Sequence, residues 1–282
     1  TPSHTSPLPA TSPNNIDHNC TDLDSIPEQW INLAKATLHI AYGHTSHGSQ
    51  ITTGMAGLVL FMGEFYQFNT GGTNGALDLR DKPFSGASDL GNPDRVSWAS
   101  ATRTYLDAHT EINVIIWSWC GQVSTTTEAD INTYLNLMHG LEVDYPNVKF
   151  VYMTGHLDGT GLEGNLHRRN EQIRTYCRNN NHFLYDFADI ETYDPDGIYY
   201  GDKYPTDACN YDFKQDGTTS QSGDPAQPLN GDRNWAVDWQ NSHVTGVDWY
   251  ECSAAHTPPL NANRKAYTAW WLWARLAGWD GQ

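Results

Sequence analysis

The chain is 282 residues long, 38% hydrophobic, 12% aromatic and 17% charged, a composition that supports a well-buried core and excludes a disordered polymer. Its 33 acidic against 16 basic side chains leave a net charge of −17, which repels phosphate backbones and anionic membranes, so nucleic acid is not an expected partner. The longest apolar stretch, near Met55 to Met62, contains Gly57 and is followed by Gly63; it falls far short of the roughly 20 residues that span a bilayer, so no membrane crossing is expected.

Residues 1–20 read as a tail. Its start, from Thr1 to Pro13, is rich in Pro, Ser and Thr and looks like the mature end left after export, which implies a secreted protein. Residues 21–282 then form a single domain. The five cysteines, Cys20, Cys120, Cys177, Cys209 and Cys252, show no CxxC spacing, so disulfides are a better expectation than zinc. Cys209 and Cys252 flank a long irregular stretch that a bridge would tie. Cys120, at the end of an apolar run, is expected to stay a thiol and act as a small hydrophobe.

The first strand is expected over Thr37 to Tyr42, ending in the polar loop Gly43-His44-Thr45-Ser46-His47-Gly48-Ser49-Gln50. Ile51, Met55, Leu58 and Phe61 then recur at helical spacing. A short strand over Ala76 to Leu79 leads through Ser88-Asp89-Leu90-Gly91 to a weaker helix near Trp98 to Leu106. Ile112 to Trp117 is nearly all apolar, as suits a central strand covered on both faces. Thr125-Thr126-Thr127-Glu128 has the pattern of a capping box and opens a helix through Ile131, Leu135, Met138 and Leu141. A strand over Val148 to Met153, a helix over Leu166 to Arg178, a strand over Phe183 to Phe187 and a final helix over Asn263 to Leu276 follow, with Gly278 as the stop. Residues 193–250 break the alternation and read as a long irregular insertion, either folded beside the site or a surface excursion.

Strands separated by helices predict an α/β fold: a three-layer sandwich with a mostly parallel sheet flanked by helices, of flavodoxin-like type. In such sheets ligands gather beyond the carboxyl ends of the strands. That rule brings together the loops carrying His44 to His47, Ser88 to Gly91, Trp119 to Gln122 and Thr154 to Gly159. A serine before a helix can attack a carbonyl while nearby N–H groups hold the oxyanion. The plainer alternative is that Thr45, Ser46 and Ser49 cap the helix.

A serine after the first strand and a histidine before the last helix resemble the SGNH (GDSL-like) hydrolase superfamily, over roughly Thr37 to Trp279 without the insertion. His44-Thr45-Ser46 stands where that family has Gly-Asp-Ser, so the resemblance implies Ser46 as nucleophile, with Ser49 as fallback. Gly91 and Gln122 stand for the oxyanion glycine and asparagine. Ser253-Ala254-Ala255-His256 replaces the final Asp-x-x-His, so His256 is the implied base, with Asp248 or Glu251 as its partner or none. The other reading of His256 is structural, at the start of the last helix.

His44, His47 and His156 are expected to bond substrate, and no metal or cofactor is expected: His44-x-x-His47 is not a standard zinc spacing, and Asp194-Pro195-Asp196-Gly197 lacks the calcium ligand ladder. Eleven tryptophans and fifteen tyrosines suggest rings that suit sugar faces. Trp119, Trp235, Trp239 and Trp249 are the groove candidates, whereas Trp270, Trp271 and Trp273 belong in or beside the core. The leading expectation is a serine esterase or deacylase acting on carbohydrate-linked or small esters. A polysaccharide lyase or glycoside-cleaving enzyme using His44, His156 or a tyrosine, its pocket made basic by Arg168 or Arg169, and a non-catalytic carbohydrate-binding protein are the alternatives.

Overall fold

The computed structural model describes residues 14–220 and 231–282; residues 1–13 of the expected tail and 221–230 of the insertion lie outside them. In chain order the main elements are β1 (Asn15–Ile16), α1 (Glu28–Thr37), β2 (His39–Gly43), α2 (Ser49–Met62), β3 (Phe68–Asn69), β4 (Leu77–Asp81), α3 (Ser97–Ala108), β5 (Val114–Trp117), α4 (Glu128–Asp144), β6 (Lys149–Met153), α5 (Asn165–Asn180), β7 (Phe183–Tyr185), α6 (Phe187–Ile190), β8 (Asn210–Tyr211), β9 (Arg233–Asn234), α7 (Trp235–Ser242) and α8 (Pro259–Ala277). Seven strands form one sheet in the order β1-β7-β6-β5-β2-β4-β3, with every pairing parallel. The fold is the expected α/β three-layer sandwich.

The central strands explain the layering. Ile40, Tyr42, Val114, Ile116, Val151 and Met153 join one core with α1, α2 and α8, while Ala41, Ile115, Trp117, Phe150 and Tyr152 join another with α3, α4 and α5. Successive side chains of a strand point to opposite faces, and here both faces are apolar because both are covered. No helix among the described residues is long and apolar enough to cross a membrane.

Local chemistry sets the helix ends. The capping box of α4 runs between Thr127 and Asp130, two residues beyond the expected start. Pro259 occupies the first turn of α8, and Gly278 closes it at φ 115°, a left-handed position that favours glycine. Gly54 lets α2 meet α8 backbone to backbone, since a Cβ there would lie 2.1 Å from the Ala262 carbonyl oxygen. Gly54→Ala is therefore expected to destabilise by about 1–3 kcal/mol through overpacking, even after the better helix propensity of alanine. A urea midpoint equal to that of the parent would show that the two helices can move apart freely.

Two expectations change. Residues 14–20 are not tail: β1 pairs with β7, and Asp17 and Cys20 are buried. All five cysteines are free; Cys209 lies 3.6 Å from the Thr257 hydroxyl, whereas Cys252 faces Asn263 and the Pro259 carbonyl, so the expected bridge does not form. Of the two readings of the insertion, its described residues follow the folded one, with β8 and β9 antiparallel and Tyr211, Trp235 and Trp249 packed with Leu260 of α8 in a separate core.

Candidate active site

The chain leaves β2 toward β4 on one side and later adds β5 on the other side. In open parallel sheets such a reversal, between the loops that follow β2 and β5, is where ligands gather. Tyr42 donates its hydroxyl to the Gly48 carbonyl at 2.9 Å, and a Cβ on Gly48 would fall 2.2 Å from the Ser118 hydroxyl, so the first loop is packed tightly against the second. Buried Asp89 joins them further. It accepts from the Thr45 hydroxyl at 2.5 Å, from the Gly91 N–H at 2.8 Å and from the Gln122 amide at 3.1 Å. Gln122 in turn accepts the Cys120 N–H at 2.8 Å.

The result places the Cys120 thiol 3.2 Å from His47 Nδ1, and His47 Nε2 2.8 Å from an Asp207 carboxylate oxygen. Asp207 comes from the insertion, where its N–H donates to the Leu157 carbonyl at 3.1 Å. Both imidazole nitrogens thus face groups that accept when ionised, which favours imidazolium between thiolate and carboxylate. The hydrogen bond with His47 outweighs burial and draws the Cys120 thiol down to about 6, with Ser46 adding to the effect. For His47, burial disfavours the charge, but Asp207 and Cys120 overcome it and raise the imidazole to about 9. Burial likewise works against the Asp207 carboxylate, yet His47, His156 and Lys265 hold it below the ordinary range. The other four thiols are pushed upward by burial, Cys20 and Cys252 to about 12.

Two further imidazoles flank this one. His156 stacks on His47 at 3.7 Å and His256 at 4.4 Å, nearly parallel in both cases; one face of a five-membered ring accommodates one such stack, so the two cover opposite faces. His156 Nδ1 donates to the Leu157 carbonyl at 2.8 Å. Burial and the His47 charge hold His156 down to about 4. His256 is exposed and adopts φ 64°, a strained conformation for a residue with a side chain, of the kind that clusters at functional sites.

The expected site residues divide accordingly. Ser46 lies in the loop after β2, its hydroxyl 3.6 Å from the Cys120 sulfur, but no hydrogen bond joins it to His256. Nor do Thr45, Ser46 and Ser49 cap α2, whose N-cap is Gly48 with no side-chain bond. Gly91 is not an open oxyanion donor, because Asp89 takes its N–H, and Asp89 also takes one of the two N–H bonds of the Gln122 amide. His44 is buried, with its nitrogens on Asp81 and the Thr45 carbonyl, so it supports the loop and does not meet substrate. Trp119, Trp235 and Trp249 are buried. Trp119 donates to the Met153 carbonyl, and half-buried Trp239 stacks on His243 at 3.5 Å; none of the first three lines a sugar groove. Cys120 and Asp207 are the residues that sequence reasoning missed.

Among the described residues, two clusters offer three metal-ligating atoms within 4.8 Å: His47, His156 and Asp207, and separately Asp17, His18 and Asp189. The first suits a metal poorly. A 7° angle between the stacked rings keeps the nitrogen lone pairs from converging on one ion as tetrahedral ligands do, and both His47 nitrogens already have partners. The second cluster opens on a cavity of about 830 Å³ at the β1–β7 end, which is lined by Arg174, Tyr193 and Tyr199 but not by Cys120, His47 or Asp207. No protein-family model and no curated protein matches the chain.

Proposed function

We propose that the protein is a cysteine-dependent acyl hydrolase on an SGNH-like scaffold, with Cys120 as nucleophile, His47 as acid and base, and Asp207 as the carboxylate that orients His47. The observation that carries this reading is the pair of contacts on the two His47 nitrogens, 3.2 Å to sulfur and 2.8 Å to carboxylate. Thiolate is the reactive form of cysteine, and an adjacent imidazolium makes it available near neutral pH.

The Cys120 thiolate attacks the acyl carbon, and the carbonyl electron pair moves onto oxygen. Collapse restores the carbonyl and expels the leaving alcohol or amine, which takes the proton from His47. A thioester to Cys120 remains. Neutral His47 then removes a proton from water as it attacks that thioester; collapse releases the carboxylic acid and expels Cys120 as thiolate, and His47 keeps the proton, which restores the ion pair. The backbone N–H groups of Ser46 and His47 have no acceptor among the described residues. They lie just before α2, where the helix dipole and free amides favour a developing oxyanion.

An acyl probe such as p-nitrophenyl acetate tests this directly. Acetate should be found by peptide mass mapping on the Cys120 peptide after rapid quench. Ser46→Ala is expected to lower turnover about 2- to 10-fold, the scale of one ordinary hydrogen bond near sulfur. Acetate on Ser46, with turnover surviving Cys120→Ala, would instead identify the serine enzyme that the SGNH resemblance implies.

A further inference from the structure

Lys265 lies inside α8 and Glu191 just beyond α6, and both are fully buried with Nζ and carboxylate 2.6 Å apart. The ammonium also sits 3.7 Å from the centre of the Phe187 ring and donates to the Gln50 side-chain oxygen. A buried ion pair adds little net stability over an apolar pair of similar size, so its partners are informative. The second Glu191 oxygen accepts the Leu157 N–H at 2.9 Å, and the Leu157 carbonyl accepts from both His156 and Asp207. On the other side, Gln50 donates to the Ala255 carbonyl at 2.6 Å, next to His256.

We propose that Lys265 and Glu191 are positioning residues: one buried ion pair holds, through Leu157 and Gln50, the carboxylate of the triad and both imidazoles that enclose His47. This inference rests on the cysteine-triad reading above. Neither residue of the pair touches the reacting atoms. Their effect passes through the place of Asp207, which keeps His47 charged and so keeps Cys120 ionised. The Lys265 charge adds to this by favouring the Asp207 carboxylate.

The test follows the pH dependence of Cys120 alkylation by iodoacetamide in the full chain, which needs no substrate. Lys265→Met combined with Glu191→Gln removes the charges at similar volume. It is expected to move the Cys120 titration upward by at least about one unit, and so to slow alkylation about tenfold on the acid side of the titration. A control pair on β4, Arg80→Met with Asp78→Asn, should leave the titration unchanged. The milder Gln50→Met removes the Ala255 branch and one acceptor of the Lys265 ammonium, should loosen the ion pair and shift the titration in the same direction, and decides the matter if the double variant does not fold. If wild-type Cys120 titrates as an ordinary thiol, the triad reading itself fails. If it titrates low and the folded variants match it, the positioning role is overturned.

Discussion

Replacing Cys120 by alanine is expected to lower acyl hydrolysis about 10³-fold or more, the scale seen when an activated nucleophile is removed. Such a factor corresponds to about 4 kcal/mol of transition-state stabilisation, far more than loss of the half-buried side chain should cost the fold. Thermal unfolding should therefore remain close to that of the parent while turnover disappears. Cys120→Ser should be similarly inactive, because a serine hydroxyl is not ionised by His47 and forms no imidazolium pair. Retained turnover in either variant would place the chemistry elsewhere.

Asp207→Asn should produce the second largest loss, about 10²-fold near pH 8, in the range of a general acid–base contribution. In the parent, kcat/KM should rise with pH through about 6 as Cys120 ionises and fall through about 9 as the His47 imidazolium loses its proton. The neutral amide can still accept the Nε2 proton but no longer stabilises the cation, so the alkaline limb should move down toward the ordinary imidazole value of about 6.5. The Cys120 thiolate then loses its partner and the acid limb moves up. The window of activity should narrow from both sides, whereas a purely structural role for Asp207 would lower the whole profile without moving either limb.

The central layers were legible because the physics behind them is local and repetitive: Val114 to Trp117 and Phe150 to Met153 are buried on both faces, and the α2 and α8 stripes keep helical spacing. The two-residue strands β1 and β3 are too short to carry a period. Their existence depends on neighbours far away in sequence, as the pairing of Ile16 with Tyr185 shows.

The site was legible as a place more than as a mechanism. The loops carrying Ser46, His47 and Cys120 meet beyond β2 and β5, as the parallel sheet requires. What decides the nucleophile is a contact between His47 and Cys120, 73 residues apart, and one between His47 and Asp207, 160 residues apart. No spacing rule reports either. Cys120 lies in the loop just past the apolar β5, so composition favours a passive thiol, and only the adjacent imidazole reverses that. Asp207 lies in an insertion whose sequence resembles surface loop, and its role follows from the Leu157 carbonyl that receives its N–H.

The most direct measurement is site-resolved alkylation of all five thiols across pH, read by peptide mass mapping of the native protein. Cys120 should react fastest and titrate near 6, while Cys20, Cys177, Cys209 and Cys252 stay slow throughout the neutral range. A Cys120 that ionises only near the free-thiol value of about 8.5 would mean that no imidazolium stands beside it, and the proposed cysteine chemistry would be wrong.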